Sequence, residues 1–154
     1  MELKITSNFS FGKLLGKIEE IQNDFLKKNI NKTVDIAKSN ISQGNTRGLA
    51  DSTKQSRAKG RGWAGKKVTP TNDTTPLKHT GKLLKSLKPK SDGFEIVEYG
   101  LIHQSGWTTN RGTTINPRPF LPFTSKGNLS PERKKHQKKF LKLLYLRIRQ
   151  AMKK

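Results

Sequence analysis

Between Phe11 and Ile41 apolar side chains recur every third or fourth residue: Phe11, Leu14, Leu15, Ile18, Ile21, Phe25, Leu26, Ile30, Val34, Ala37 and Ile41. That spacing draws a single stripe along an α-helix and predicts one over residues 10–42. Ser10 is placed to cap its start and Gly44 to end it. Roughly 32 residues at about 1.5 Å each make about 48 Å of helix. A compact chain of 154 residues is only about 40 Å across. The helix therefore either breaks, with Asn29 and Asn31 as the weakest formers, or carries apolar surface past its own body to meet another subunit. The second outcome points to an oligomer.

Charge narrows the partners. Lys and Arg total 32 against 11 acids, a net charge of +21, and hydrophobic residues make up 31% of the chain. The core is lean, and acidic partners or nucleic acid are favoured on electrostatic grounds alone. There is no cysteine, which removes disulfides, thiolate metal sites and cysteine nucleophiles. No run reaches the ~20 apolar residues of a membrane span, and MELKITSNFSFGK lacks the apolar stretch of a signal peptide. A soluble protein made in a cytoplasm, with no membrane partner, is expected.

Beyond the first helix the pattern changes. Residues 43–75 are rich in Gly, Ser, Thr, Asn and basic side chains without apolar periodicity, and read as a long, mobile, basic loop. Trp63 within it is an interface anchor, a base-stacking platform, or a residue that folds back onto the body. In the 76–89 stretch, PLKHTGKLLKSLKP, Thr80 is placed to cap a helix of two turns with Leu83, Leu84 and Leu87 inward, and Pro89 stops it. Asp92-Gly93 marks a turn before an alternating strand, with Phe94 and Ile96 on one face and Val97 and Tyr99 on the other; residues 86–91 supply its hairpin partner. Pro117, Pro119 and Pro122 then force an extended path. A final helix over 131–152 starts with Pro131 and Glu132, favourably placed at the positive end of the helix dipole. One face of it is Phe140, Leu141, Leu144, Tyr145, Ile148 and Met152, and the other is basic: Arg133, Lys134, Lys135, Lys138, Lys139, Lys142, Arg149 and Lys153. With Arg57 and Arg61 of the loop, these form the expected basic surface.

Catalytic constellations do not emerge. His79, His103 and His136 stand apart from one another and from any acid cluster, and neither GKLLGK nor GRGWAGKK has the spacing of a phosphate-binding loop. No enzyme activity, cofactor or metal is expected, and His103 reads as a packed, hydrogen-bonded structural residue.

Three strings occur in order: Pro76-Leu77-Lys78-His79-Thr80-Gly81-Lys82-Leu83-Leu84-Lys85-Ser86-Leu87, then Tyr99-Gly100-Leu101-Ile102-His103-Gln104-Ser105-Gly106, then Ile115-Asn116-Pro117-Arg118-Pro119-Phe120-Leu121. Together they resemble the tail-completion, or virion morphogenesis, family of tailed bacteriophages, in its patterns L-x-x-T-G-x-L-x-x-S, Y-A-x-x-H-Q-x-G and I-P-A-R-P-F-L. Trp63 also falls where that family often has a Trp. The likeness covers about residues 60–122. Gly100 stands where the pattern has Ala, and Asn116 interrupts I-P-x-R-P.

The resemblance implies an α+β subunit, a small antiparallel sheet packed with the N-terminal and C-terminal helices, in one domain over 1–154 whose motif-bearing core is 76–122. It also implies a six-fold ring at the head–tail junction of a virion assembled in the host cytoplasm, with other neck and tail proteins as partners and packaged DNA within reach. Thr80, Gly81, His103, Gly106, Pro117, Pro119 and Phe120 are then structural motif residues, with Phe120 and Leu121 plugging the core. Phe11, Leu14, Ile18, Phe25, Trp63 and Arg118 are the candidate interface. Arg118 pairs with a carboxylate of a neighbouring subunit or closes a salt bridge within its own sheet. A basic nucleic-acid-binding protein of ribosomal or chromatin type is the alternative, resting on the +21 charge.

Overall fold

The computed structural model describes residues 10–62, 66–110, 112, 114–124 and 126–153; Trp63 and the Glu132 side chain lie outside the described residues. Helix α1 runs unbroken over Phe11–Gln43. The Ser10 hydroxyl accepts from the Lys13 amide at 3.4 Å, and Gly44 closes the helix in the left-handed region. The break considered at Asn29–Asn31 does not occur. The Asn29 carbonyl accepts the Thr33 hydroxyl at 2.9 Å and its side-chain oxygen accepts from Arg133, so polar side chains here are satisfied without interrupting the backbone ladder.

Residues 43–75 contain more regular structure than a loop. Helix α2 spans Asp51–Ala58, and an isolated antiparallel bridge joins Arg61 to Lys67. An eight-residue helix reading DSTKQSRA is polar on nearly every side and leaves no apolar period to detect. Arg57 fixes it instead, donating to the carbonyls of Asp73 at 3.0 Å and Thr75 at 2.9 Å.

Helix α3 is short, Lys82–Ser86, and its cap position is Gly81 at φ 67° rather than Thr80. The Thr80 hydroxyl accepts from the Lys82 amide at 3.4 Å from one residue further out. Strand β1 (Lys88–Pro89) pairs antiparallel with β2 (Phe94–Glu95), as the turn at Asp92-Gly93 requires. The expected strand then ends early: Val97 donates its amide to the Ser86 hydroxyl at 3.2 Å, and α4 begins at Glu98 and continues to Ser105. Tyr99 is thus helical, not the far face of a strand. A second ribbon pairs β3 (Trp107–Thr108) with β4 (Thr114–Ile115), and after the proline tract Ser130 caps α5, Pro131–Met152. The class is α+β, its sheet divided into two two-stranded ribbons.

The core gathers at the C-terminal end of α1. Val34, Ala37 and Ile41 meet Leu83, Leu87, Phe120 and Leu121, with Leu77, Leu84, Phe94, Ile96, Val97 and Phe123 packed around them. Helix α5 lies along the other part of α1 and runs antiparallel to it, since Arg133 reaches Asn29 and Thr33 while Arg147 reaches Asp24.

Candidate functional site

Two features outside the ordinary core stand out: a polar joint under the proline tract and a two-helix arm. The joint is built on Gln104, buried on α4. Its side-chain oxygen accepts the amides of Phe120 and Leu121, each at 3.0 Å, while its Nε2 donates to the Phe123 carbonyl at 2.8 Å. One amide side chain therefore does for residues 120–123 what a neighbouring strand would do. From the opposite side Asn40 of α1 donates to the Phe120 carbonyl at 2.9 Å. Phe120 is held by its backbone on two sides while its ring is fully buried.

His103 and Gly106 serve the same joint through the main chain. The His103 carbonyl accepts the Arg118 amide at 2.6 Å. Gly106, at φ 77°, is where a Cβ would meet the Ile115 carbonyl oxygen at 2.8 Å and Pro117 Cδ at 2.9 Å. At Gly100 a Cβ would fall 2.6 Å from Ile96 Cδ1 and 2.8 Å from Leu83 Cδ1, so Ile96 fills the space an Ala would occupy. The His103 ring packs edge-on against Tyr99 at 6.0 Å, yet its Nδ1 is buried without a hydrogen-bond partner, which corrects the expectation of a hydrogen-bonded side chain. Burial, and secondarily the Arg118 charge, holds its imidazole below the usual value of 6.5.

Among the described residues Arg118 closes no salt bridge within its own sheet. Its guanidinium donates to the Arg47 carbonyl at 3.2 Å and more weakly to that of Gly48 at 3.5 Å, tying the proline tract to the segment after α1. Pro117 is half-buried and Pro119 exposed. The second and third sequence strings thus meet directly at this joint, and the first adds Leu83 and Leu87 to the core beside it.

The arm is α1 from Phe11 to about Asp24 with the facing part of α5. Phe11 is 63% exposed and Leu15 50%, and Leu14 and Ile18 are half-covered. Phe25, in contrast, is only 6% exposed, under an edge contact with Phe140 at 4.7 Å and with Arg147 over its ring. It belongs to the α1–α5 contact rather than to a free seam. Of the expected apolar face of α5, Phe140, Leu144 and Ile148 are half-covered, whereas Leu141, Tyr145 and Met152 remain exposed.

The basic residues divide in the same way. Lys134, Lys138 and Lys142 lie exposed on α5 and Arg61 is exposed beyond α2, but Arg57 is buried, and burial lowers its pKa from the ordinary value. Arg133, read from the sequence as part of the basic outer face of α5, is instead 5% exposed: it donates to the Asn29 side chain and to the Thr33 hydroxyl at 3.1 Å, with no carboxylate partner among the described residues and with its Nη1 unbonded. Sequence reasoning missed Gln104 and Asn40. Gln104 lay inside a quoted string, but nothing local marks which amide will bridge to a distant backbone.

Among the described residues no group of three or more His, Cys, Asp or Glu converges on a metal-sized space. A surface hollow of about 610 Å³ between Lys59, Gly60, Arg61, Lys67, Val68 and Pro70 holds no acid or imidazole. No helix among the described residues is long and apolar enough to cross a membrane. Family models, curated proteins and solved structures were compared with the chain, and none matches.

Proposed function

We propose that this chain is a structural virion protein of a tailed bacteriophage. It forms a homo-oligomeric ring, six-fold by the resemblance, at the head–tail interface, completing the tail and joining it to the head through protein–protein contacts. The observation that carries this reading is the unbroken α1, whose exposed Phe11 and Leu15 run past the core that covers Val34, Ala37 and Ile41. A ring needs two different surfaces on each subunit that close on one another, and this overhang supplies one. The interlocking of the second and third strings at Gln104 supports the resemblance, because residues quoted for likeness alone do joint work in one place.

Light scattering and sedimentation of the purified chain test it. A closed oligomer is expected at high concentration, lost in the Phe11→Ser/Leu15→Ser double variant. A strict monomer that is also absent from mature particles by mass spectrometry would overturn the reading. A nucleic-acid-binding role draws on the exposed cations of α5, such as Lys134, Lys138 and Lys142; it requires affinity for duplex DNA to fall steeply with salt.

A further inference from the structure

Helix α5 carries a second, independent surface. Leu141, Tyr145, the half-covered Ile148 and Met152 follow a spacing of four, three and four, the period of a coiled-coil seam. Leu141, Tyr145 and Met152 are 55%, 62% and 52% exposed. At about 100° per residue, one edge of this seam is lined by Lys135, Lys142 and Arg149, seven residues apart and all exposed. The opposite edge, through Leu144 and Ala151, is half-covered and turns toward α1. Among the described residues, none of the three edge cations forms an ion pair, while Asp24 is engaged by Lys28 and Arg147.

Exposed greasy positions flanked by a row of one charge sign select the partner. A second α5 laid antiparallel would set Lys135, Lys142 and Arg149 against the same row, which is repulsive. A parallel copy would need the edge that α1 covers. A nucleic-acid duplex would use the cations but leave the apolar seam in water. We propose that the outer face of α5 docks an amphipathic helix of a partner protein that carries Leu- or Ile-type residues on its own seam and Asp or Glu along its flanks. This assignment does not rest on the ring reading, whose surface is the Phe11 end of α1.

The test uses the full chain and three synthetic peptides of about three heptads: Leu seam with Glu flanks, Leu seam with Lys flanks, and Ser seam with Glu flanks. Binding is followed by fluorescence anisotropy at about 150 mM salt, with a short DNA duplex and anionic phosphatidylglycerol vesicles alongside. The Leu/Glu peptide is expected to bind at least about tenfold more tightly than either other peptide. Leu141→Ser/Tyr145→Ser/Met152→Ser should lose that advantage, and Lys135→Glu/Lys142→Glu/Arg149→Glu should transfer it to the Lys-flanked peptide. These positions are exposed, and circular dichroism checks that the variants stay helical. Hydrogen exchange on the unmodified chain adds a readout free of substitutions, with the Leu/Glu peptide expected to protect residues 141–152. Equal binding of the Ser/Glu peptide, tighter binding of DNA or vesicles that the seam substitutions leave unchanged, or self-association through Tyr145 would each overturn the assignment.

Discussion

Gln104 makes three hydrogen bonds to backbone groups of residues 120–123 from a buried position. Replacing it with Ala strands the amides of Phe120 and Leu121, and each unsatisfied buried group costs about 1–3 kcal/mol. We therefore expect Gln104→Ala to lower unfolding stability by about 3 kcal/mol in urea titration, against a change within about 0.5 kcal/mol for the exposed Gln150→Ala. His103 gives the joint a pH dependence whose sign is fixed by its lowered pKa. As pH falls through the ordinary value of 6.5 the unfolded chain takes up a proton that the folded chain resists, so stability drops until the folded pKa is passed. The loss of melting temperature between about pH 7.5 and pH 5.5 should be smaller in His103→Asn than in the parent chain.

At the scale of elements, the α1–α5 contact is where burial and exposure alternate most closely. Phe25→Ala removes a nearly buried ring and its edge contact with Phe140; a cost of about 3 kcal/mol is expected, with hydrogen-exchange protection of α5 falling before that of the core. Phe11→Ser should leave stability within about 0.5 kcal/mol and change association alone. The sequence foretold α1 and α5 well, because a stripe at helical period, Ser10 before the first turn of α1, Pro131 in the first turn of α5, and Gly44 after α1 are all local signals. It misread α4, where Phe94, Ile96, Val97 and Tyr99 alternate plausibly as a strand; the bond from Val97 to Ser86, eleven residues back, ends that strand, and no local pattern encodes it. Helix α2 escaped notice because a polar helix held by Arg57 has no apolar rhythm. Of the site, the apolar overhang was legible from its excess length, whereas Gln104, Asn40 and Arg133 act on segments remote in the chain and gave no signal beyond their polarity.

Across the whole molecule the +21 charge sets opposing salt responses. Self-association must overcome like-charge repulsion, so the proposed oligomer should strengthen as salt rises from about 50 mM to 500 mM. Phosphate-driven DNA binding should weaken over the same range. Sedimentation and DNA-binding titrations on one preparation would read both slopes, and an oligomer that dissolves with added salt would mean that opposite charges, not the Phe11 end of α1, hold it together.

Because the core holds α1 over residues 34–41 and α5 holds it back as far as Phe25, only the part of that helix before Phe25 is a lever. Its tip at Phe11 stands about 21 Å from Phe25, at about 1.5 Å per residue, and the fulcrum is Phe25, held against Phe140 with Arg147 over its ring. A tilt of roughly 10° at that fulcrum swings the tip by about 4 Å over such a length. In the proposed ring, such a lever would let each copy meet its neighbours at slightly different angles while its own interior stays undisturbed.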